Sequence, residues 1–232
     1  MKILAIRGKN IASLASEFEL RFYEEPLVST GLFAICGPTG AGKSTLLDAL
    51  CLALYNNTPR LAKASARGVN LPDVGKETVT PRDPGNLLRR GAGEGYAEVD
   101  FVGNDGIEYR ARWSVRRARG KTSGKLQSVE MGLRRLDDQQ TLGSGKSEVQ
   151  REIEQRLGLS FEQFTRAVLQ SQNEIATSQK THDDERAALL ETLTGLTIYT
   201  RLSIRAHERA KVEQETLRDL PRQLVDQQPL SD

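Results

Sequence analysis

The run Gly37-Pro38-Thr39-Gly40-Ala41-Gly42-Lys43-Ser44 sets glycines at both ends of a five-residue step and follows the second with Lys-Ser. That spacing suits polyphosphate chemistry. Glycines let backbone N–H groups turn inward at φ values a side chain forbids, so the loop can wrap phosphate oxygens. Lys43 supplies a point charge for the β- and γ-phosphates, and the Ser44 hydroxyl completes a Mg²⁺ shell. The elements that must hold such a loop flank it. Leu32-Phe33-Ala34-Ile35-Cys36 reads as a buried strand, and residues 44–54 read as a helix whose N-terminus aims its dipole at the loop. The frame predicts ATP with Mg²⁺ held on Gly37, Pro38, Thr39, Gly40, Ala41, Gly42, Lys43, Ser44 and Thr45.

Half of a nucleotide hydrolase is missing. Such an enzyme needs a strand of four apolar residues ending in Asp to organise the metal's water shell. The nearest string, Ala187-Ala188-Leu189-Leu190-Glu191, lies in a helical pattern. No Asn-Lys-x-Asp string is present to read guanine. Gly143-Ser144-Gly145-Lys146-Ser147 imitates a second phosphate loop but has Gln140 where glycine is required, so it reads as a turn with a helix cap. The remaining groups are expected from sequence beyond this chain. His182 and His207 stand in polar surroundings and read as surface residues.

The 232 residues leave room for one α/β domain with an appendage, and 38% apolar against 28% charged content suits a modest core with a solvated helix attached. Net charge is +2, but residues 107–136 hold nine basic side chains against two acidic ones, so the positive charge sits mid-chain. Cys36 and Cys51 both fall in apolar runs and read as buried hydrophobes. The N-terminus is too short and charged for a signal peptide, and no apolar stretch approaches ~20 residues, so a cytoplasmic, nucleoid-associated protein without a membrane span is expected.

Before the loop, residues 3–6 and 18–22 alternate as two strands joined through residues 10–16. Residues 56–95, rich in Gly, Pro, Asn and Asp, read as a surface excursion that orders on demand. Alternating strands at 96–102 and 107–117 flank the turn signal Asn104-Asp105-Gly106, and a third lies near 128–136. Helical period begins at Ser147 and stops at Gly158. Ser160-Phe161-Glu162-Gln163 is a capping box opening the next helix. A helix is expected at 183–194. From Thr197, Tyr199, Ala206, Ala210, Leu217, Leu220 and Leu224 fit one heptad frame that Ser203 and Glu213 miss, and Pro221 should kink it.

Several blocks resemble the N-terminal ATPase half of SbcC, the bacterial member of the double-strand-break repair ATPases related to SMC proteins. They are Lys9-Asn10-Ile11-Ala12-Ser13-Leu14, the loop with its continuation to Tyr55, residues 164–172 and residues 185–195. The resemblance implies a P-loop NTPase of α/β class. It would be an ABC-type head lobe with mixed and antiparallel strands over residues 1–195, plus the start of a long coiled-coil helix over 196–232. It adds Asn10 to the nucleotide-binding set. It puts Gln172 at the Q-loop position, where a side-chain amide reaches Mg²⁺ and the attacking water. It further implies an aspartate strand and signature motif in a C-terminal ATPase segment, ATP sandwiched between two heads, an SbcD-like nuclease subunit and double-stranded DNA. The alternative is an SMC- or RecN-like ATPase without a nuclease partner.

One strand bears on the DNA expectation. Arg110, Arg112, Ser114 and Arg116 share a face by period two, with Ala111, Trp113 and Val115 opposite. A solvent-facing basic row is the footprint of a phosphate-tracking surface; the same pattern also describes an ordinary solvated strand face.

Overall fold

The computed structural model describes residues 1–64, 70–167 and 197–225, with side chains of the last segment described for 202–219. The chain divides into two compact units, Met1–Ala176 and Thr177–Asp232.

The alternating segments of the first unit form one antiparallel sheet. β1 (Lys2–Lys9), β2 (Phe18–Arg21), β5 (Glu94–Val102), β6 (Glu108–Arg116), β7 (Glu130–Arg135) and β8 (Thr141–Leu142) lie in the order β2-β1-β5-β6-β7-β8. The β5–β6 hairpin turns where Asn104-Asp105-Gly106 predicts: Gly106 has φ 77° and its N–H donates to Gly103 O at 3.0 Å. Period two then sorts the faces. Ala97, Val99, Phe101, Ala111, Trp113 and Val115 are buried against α1 (Lys43–Tyr55), and α3 (Lys146–Leu157) closes the core over β7. Gly158 ends α3 with φ 70°, as expected of a left-handed C-cap. Ser160 N–H donates to Gln163 Oε1 at 2.9 Å and Gln163 N–H to Ser160 Oγ at 3.3 Å, so the capping box opens α4 (Phe161–Ala167) as read.

Two expectations fail. Residues 32–36 are not a buried strand: they pair with no strand among the described residues and are exposed throughout, Leu32 at 91%. A strand is buried only where neighbours pair its edges and cover its faces, and the described residues supply none here. Cys36 is therefore exposed, while Cys51 is buried and its thiol is pushed up to about 12 by burial, with the nearby Asp48 charge adding to it. The described residues of the excursion at 56–95 also hold more regular structure than its composition suggests. α2 (Pro59–Ala62) is capped by Thr58, β3 (Leu71–Pro72) pairs with β4 (Thr78–Val79), and a 3-10 turn spans Pro84–Leu87. Leu61, Leu87, Leu88 and Ala92 enter the core, where four apolar side chains outweigh a polar, glycine-rich background.

In the second unit α5 runs over Thr197–Val225 and Pro221 does not end it. Its side chains from 202 to 219 are all exposed, including Leu202, Ile204, Val212 and Leu217. The helix expected at 183–194 lies outside the described residues.

The outer face of the sheet is laced by ions. The Asp100 carboxylate, 5% exposed, accepts from Arg110 Nε at 2.7 Å and Nη2 at 2.9 Å and from Arg7 Nη1 at 2.7 Å; Arg7 Nε also reaches Glu19 at 2.5 Å. Burial alone would raise the pKa of Asp100, but the hydrogen bonds from Arg110 and Arg7 outweigh it and hold the group below its ordinary value. A carboxyl with a depressed folded pKa contributes stability that is present above its unfolded value of about 4 and lost as pH falls through the folded value. Asp100→Ala should therefore cost about 3 kcal/mol at pH 7, because two half-buried guanidinium groups lose their shared partner. Urea titration should find the gap between parent and variant closing below pH 4; a gap that persists there would contradict the assignment.

Candidate nucleotide-binding site

The loop and α1 take the form their sequence dictates. Gly42 is the N-cap of α1 with φ 93°, and Gly40 has φ 86°, both in the region that side chains rarely enter. Thr45 and Leu46 N–H groups donate to Gly42 O at 2.9 and 3.2 Å, and Ala41 N–H donates to Pro38 O at 3.2 Å. No side chain caps α1, and no acidic residue lies in its first turn. The positive end of the helix is thus left for an external anion. Lys43 Nζ donates to Gly37 O at 2.6 Å and Pro38 O at 2.9 Å, holding its ammonium over the loop's own carbonyls. Ser44 is exposed at the loop's edge. This donor set fits a polyphosphate. For a divalent cation the described loop offers the Ser44 oxygen, and about five more oxygens must come from phosphate, water and other residues.

The turn at residues 10–14 abuts the loop. Ser13 Oγ and Thr45 Oγ1 share a hydrogen bond at 2.9 Å, and Thr45 is 3% exposed. Leu14 packs so closely on the N-cap that a Cβ on Gly42 would sit 2.6 Å from Leu14 Cδ2. Asn10, expected in the nucleotide set, points its amide elsewhere: Nδ2 donates to Glu94 O at 2.8 Å and ties the turn to β5. Motif reading assigns no role to Ser13 and Leu14, because their partners lie about thirty residues away in sequence and leave no local pattern. Gln172 lies outside the described residues.

Farther along α1, Asp48 is 5% exposed, and burial raises its pKa. Arg60 Nη2 approaches Asp48 Oδ2 at 2.8 Å, supplying charge without an aligned hydrogen bond. That pair ties α2 to α1.

The arginine row of β6 exists, and each of its guanidinium groups faces a carboxylate. Arg110 is held by Asp100, Arg112 pairs with Glu98 while stacking 4.5 Å over the Tyr96 ring, and Arg116 reaches Glu130 at 3.5 Å. Arg117, next along the chain, forms a two-pronged pair with Asp73 at 2.7 and 3.0 Å. The face is a ladder of alternating sign. Among the described residues, no group of three or more His, Cys, Asp or Glu side chains could hold a metal ion, and no helix is long and apolar enough to cross a membrane.

The phosphate loop and its supporting turn fall within a region, residues 5–229, that matches the AAA domain family. The chain belongs to the AAA domain family. It is 53% identical over its whole length to the SbcC component of nuclease SbcCD from Pseudomonas aeruginosa, covering 19% of that protein. It is 48% identical to the SbcC component of nuclease SbcCD from Rhodobacter capsulatus, over 91% of this chain and 17% of the relative. It is 30% identical to the DNA double-strand break repair Rad50 ATPase of Methanopyrus kandleri, over 94% of this chain and 22% of the relative. The SbcC resemblance read from the motifs is borne out. The chain spans about a fifth of the length of these relatives.

The two loop glycines should differ in cost. Gly40→Ala meets no atom within 4 Å and suffers only from its φ, about 1 kcal/mol. Gly42→Ala adds the clash with Leu14 and should cost about 2 kcal/mol. Denaturant midpoints of the two variants check the order, and equal costs would show that Leu14 yields freely.

Proposed function

We propose that this chain is the ATP-binding lobe of an SbcC-like DNA repair ATPase. In this reading it works with its own C-terminal ATPase segment, a second copy and an SbcD-like nuclease subunit on double-stranded DNA ends and hairpins. The observation that carries the reading is an uncapped phosphate-loop helix lying in sequence directly beside an uncovered apolar strip. Leu32, Phe33, Ile35, Val28, Tyr23 and Leu47 are between 42% and 91% exposed, and Phe33 stacks on Phe22 at 5.5 Å. An apolar strip of this kind next to a phosphate loop is what remains when the strands that should flank it belong to another segment. The names of the two SbcCD relatives supply the nuclease complex, and that of the Rad50 relative the DNA context.

Within this reading Lys43 leaves the Gly37 and Pro38 carbonyls to bind the β- and γ-phosphates, and the first-turn amides of α1 take the remaining oxygens. Mg²⁺, when bound, supplies charge neutralisation of the transferred phosphate. Ser44 is the residue here that holds it, and Gln172 is assigned to the metal and attacking water by resemblance. α5 is the start of the coiled-coil arm, with the heptad frame through Ala206, Ala210 and Leu217 offered to a returning helix. DNA contact by Arg110, Arg112 or Arg116 is left out of this reading, since each guanidinium already faces a carboxylate.

Lys43→Ala should abolish tight Mg-ATP binding, and residues 1–232 alone should turn over ATP negligibly. Adding the C-terminal ATPase segment should restore turnover, which duplex DNA should raise further. Parent-like nucleotide binding by Lys43→Ala, or full turnover by residues 1–232 alone, would overturn the proposal.

A further inference from the structure

We propose that Arg89 and Ser13 are positioning residues for the phosphate loop, acting through the turn at residues 10–14; the proposal rests on the nucleotide reading above. The turn is not self-supporting. Asn10 has φ 54° and Ala12 φ 43°, left-handed conformations that side chains adopt only when the surroundings enforce them. The enforcement comes from residues 87–94. Ala12 N–H donates to Leu87 O at 2.7 Å, Arg89 N–H to Asn10 O at 2.9 Å, and Arg89 Nη1 to Ser13 O at 2.9 Å. Asn10 Nδ2 completes the set on Glu94 O at 2.8 Å, and fully buried Ile11 bridges to Leu88.

What the held turn delivers is contact with the start of α1. Its Ser13 hydroxyl meets Thr45 Oγ1 at 2.9 Å, one residue beyond Ser44, and its Leu14 side chain closes on Gly42. Those two contacts fix the roll and height of the helical turn whose amides face the phosphates. Affinity for a rigid anion depends on that geometry more than on any added contact, because a cradle already in place spends no binding energy on ordering itself. Arg89 is the far end of the chain of contacts: one guanidinium nitrogen holds the carbonyl of the residue whose hydroxyl holds Thr45.

Neither residue is needed by the core. Ser13 is exposed and Arg89 half-buried, and neither belongs to the apolar cluster. A positioning role and a merely structural one therefore separate in measurement. The experiment uses the full-length polypeptide and titrates a fluorescent Mg-ATP analogue into the parent, Ser13→Ala, Arg89→Ala, Arg89→Lys and the double alanine variant, with thermal melting of each apo protein. Ser13→Ala and Arg89→Ala should each weaken binding roughly five- to tenfold, with melting temperatures no more than about 4 °C lower, the stability loss of one hydrogen bond. Arg89→Lys keeps one donor and should recover most of the loss. The double variant should fall short of the product of the singles, since both act on one turn. Affinity within twofold of the parent in both single variants overturns the proposal, as does an affinity loss accompanied by a fall in melting temperature of about 10 °C or more, which marks a general loss of the fold. If the parent fails to bind, or Lys43→Ala binds as the parent does, the nucleotide reading itself has failed and takes this proposal with it.

Discussion

The first unit depends on a helix that is buried along most of its length and bare at its start. From Ala49 to Tyr55 every residue of α1 is buried, with Cys51, Leu52, Ala53 and Leu54 at 0% exposure. Each fully buried leucine here contributes about 2–3 kcal/mol, so the helix cannot shift without loss of core. Its far end is pinned by polar contacts. Trp113 Nε1 donates to Asn56 Oδ1 at 2.9 Å, Gln150 Nε2 to Tyr55 O at 3.0 Å, and the Tyr55 hydroxyl to Leu159 O at 3.1 Å. With that end fixed, the uncapped N-terminus is held at a defined place with no side chain to cap it. Packing, not the loop, decides where that N-terminus stands.

Charge follows a similar logic of internal use. The basic strand face reads from sequence either as a phosphate-tracking surface or as an ordinary solvated face, and in the fold Arg7, Arg110, Arg112 and Arg117 each hold a carboxylate contributed by another strand or by the excursion. Glu19 is held down to about 2, by hydrogen bonds from Arg21 first and Arg7 second. These pairs sew β2, β1, β5 and β6 together on the face opposite α1. An excess of arginine can thus be the glue of a one-sided sheet whose outer face has no helix to cover it among the described residues.

Features that rest on near neighbours were legible in the sequence. The phosphate loop, the Asn104–Gly106 turn, the Gly158 stop and the Ser160/Gln163 box each involve groups within a few residues, and each stands where the motif predicts. Features that rest on distant partners were not. Residues 32–36 have the composition of a buried strand, but burial depends on strands that no local pattern can supply. Leu61, Leu87 and Leu88 look like stray hydrophobes in a glycine- and proline-rich stretch until the fold gathers them into the same core as α1 and Ile11. The bond from Arg89 to Ser13 spans 76 residues and leaves no trace in either segment.

The central claim is that polyphosphate binds at the bare start of α1 and draws Lys43 away from its own loop. Hydrogen–deuterium exchange of the polypeptide with and without Mg-ATP tests this most directly, because it reads backbone amides segment by segment. The account predicts nucleotide-dependent protection centred on residues 37–46, with a smaller gain at 10–14 and none along β6 and β7. Protection absent from 37–46, or centred on the arginine ladder, would contradict it.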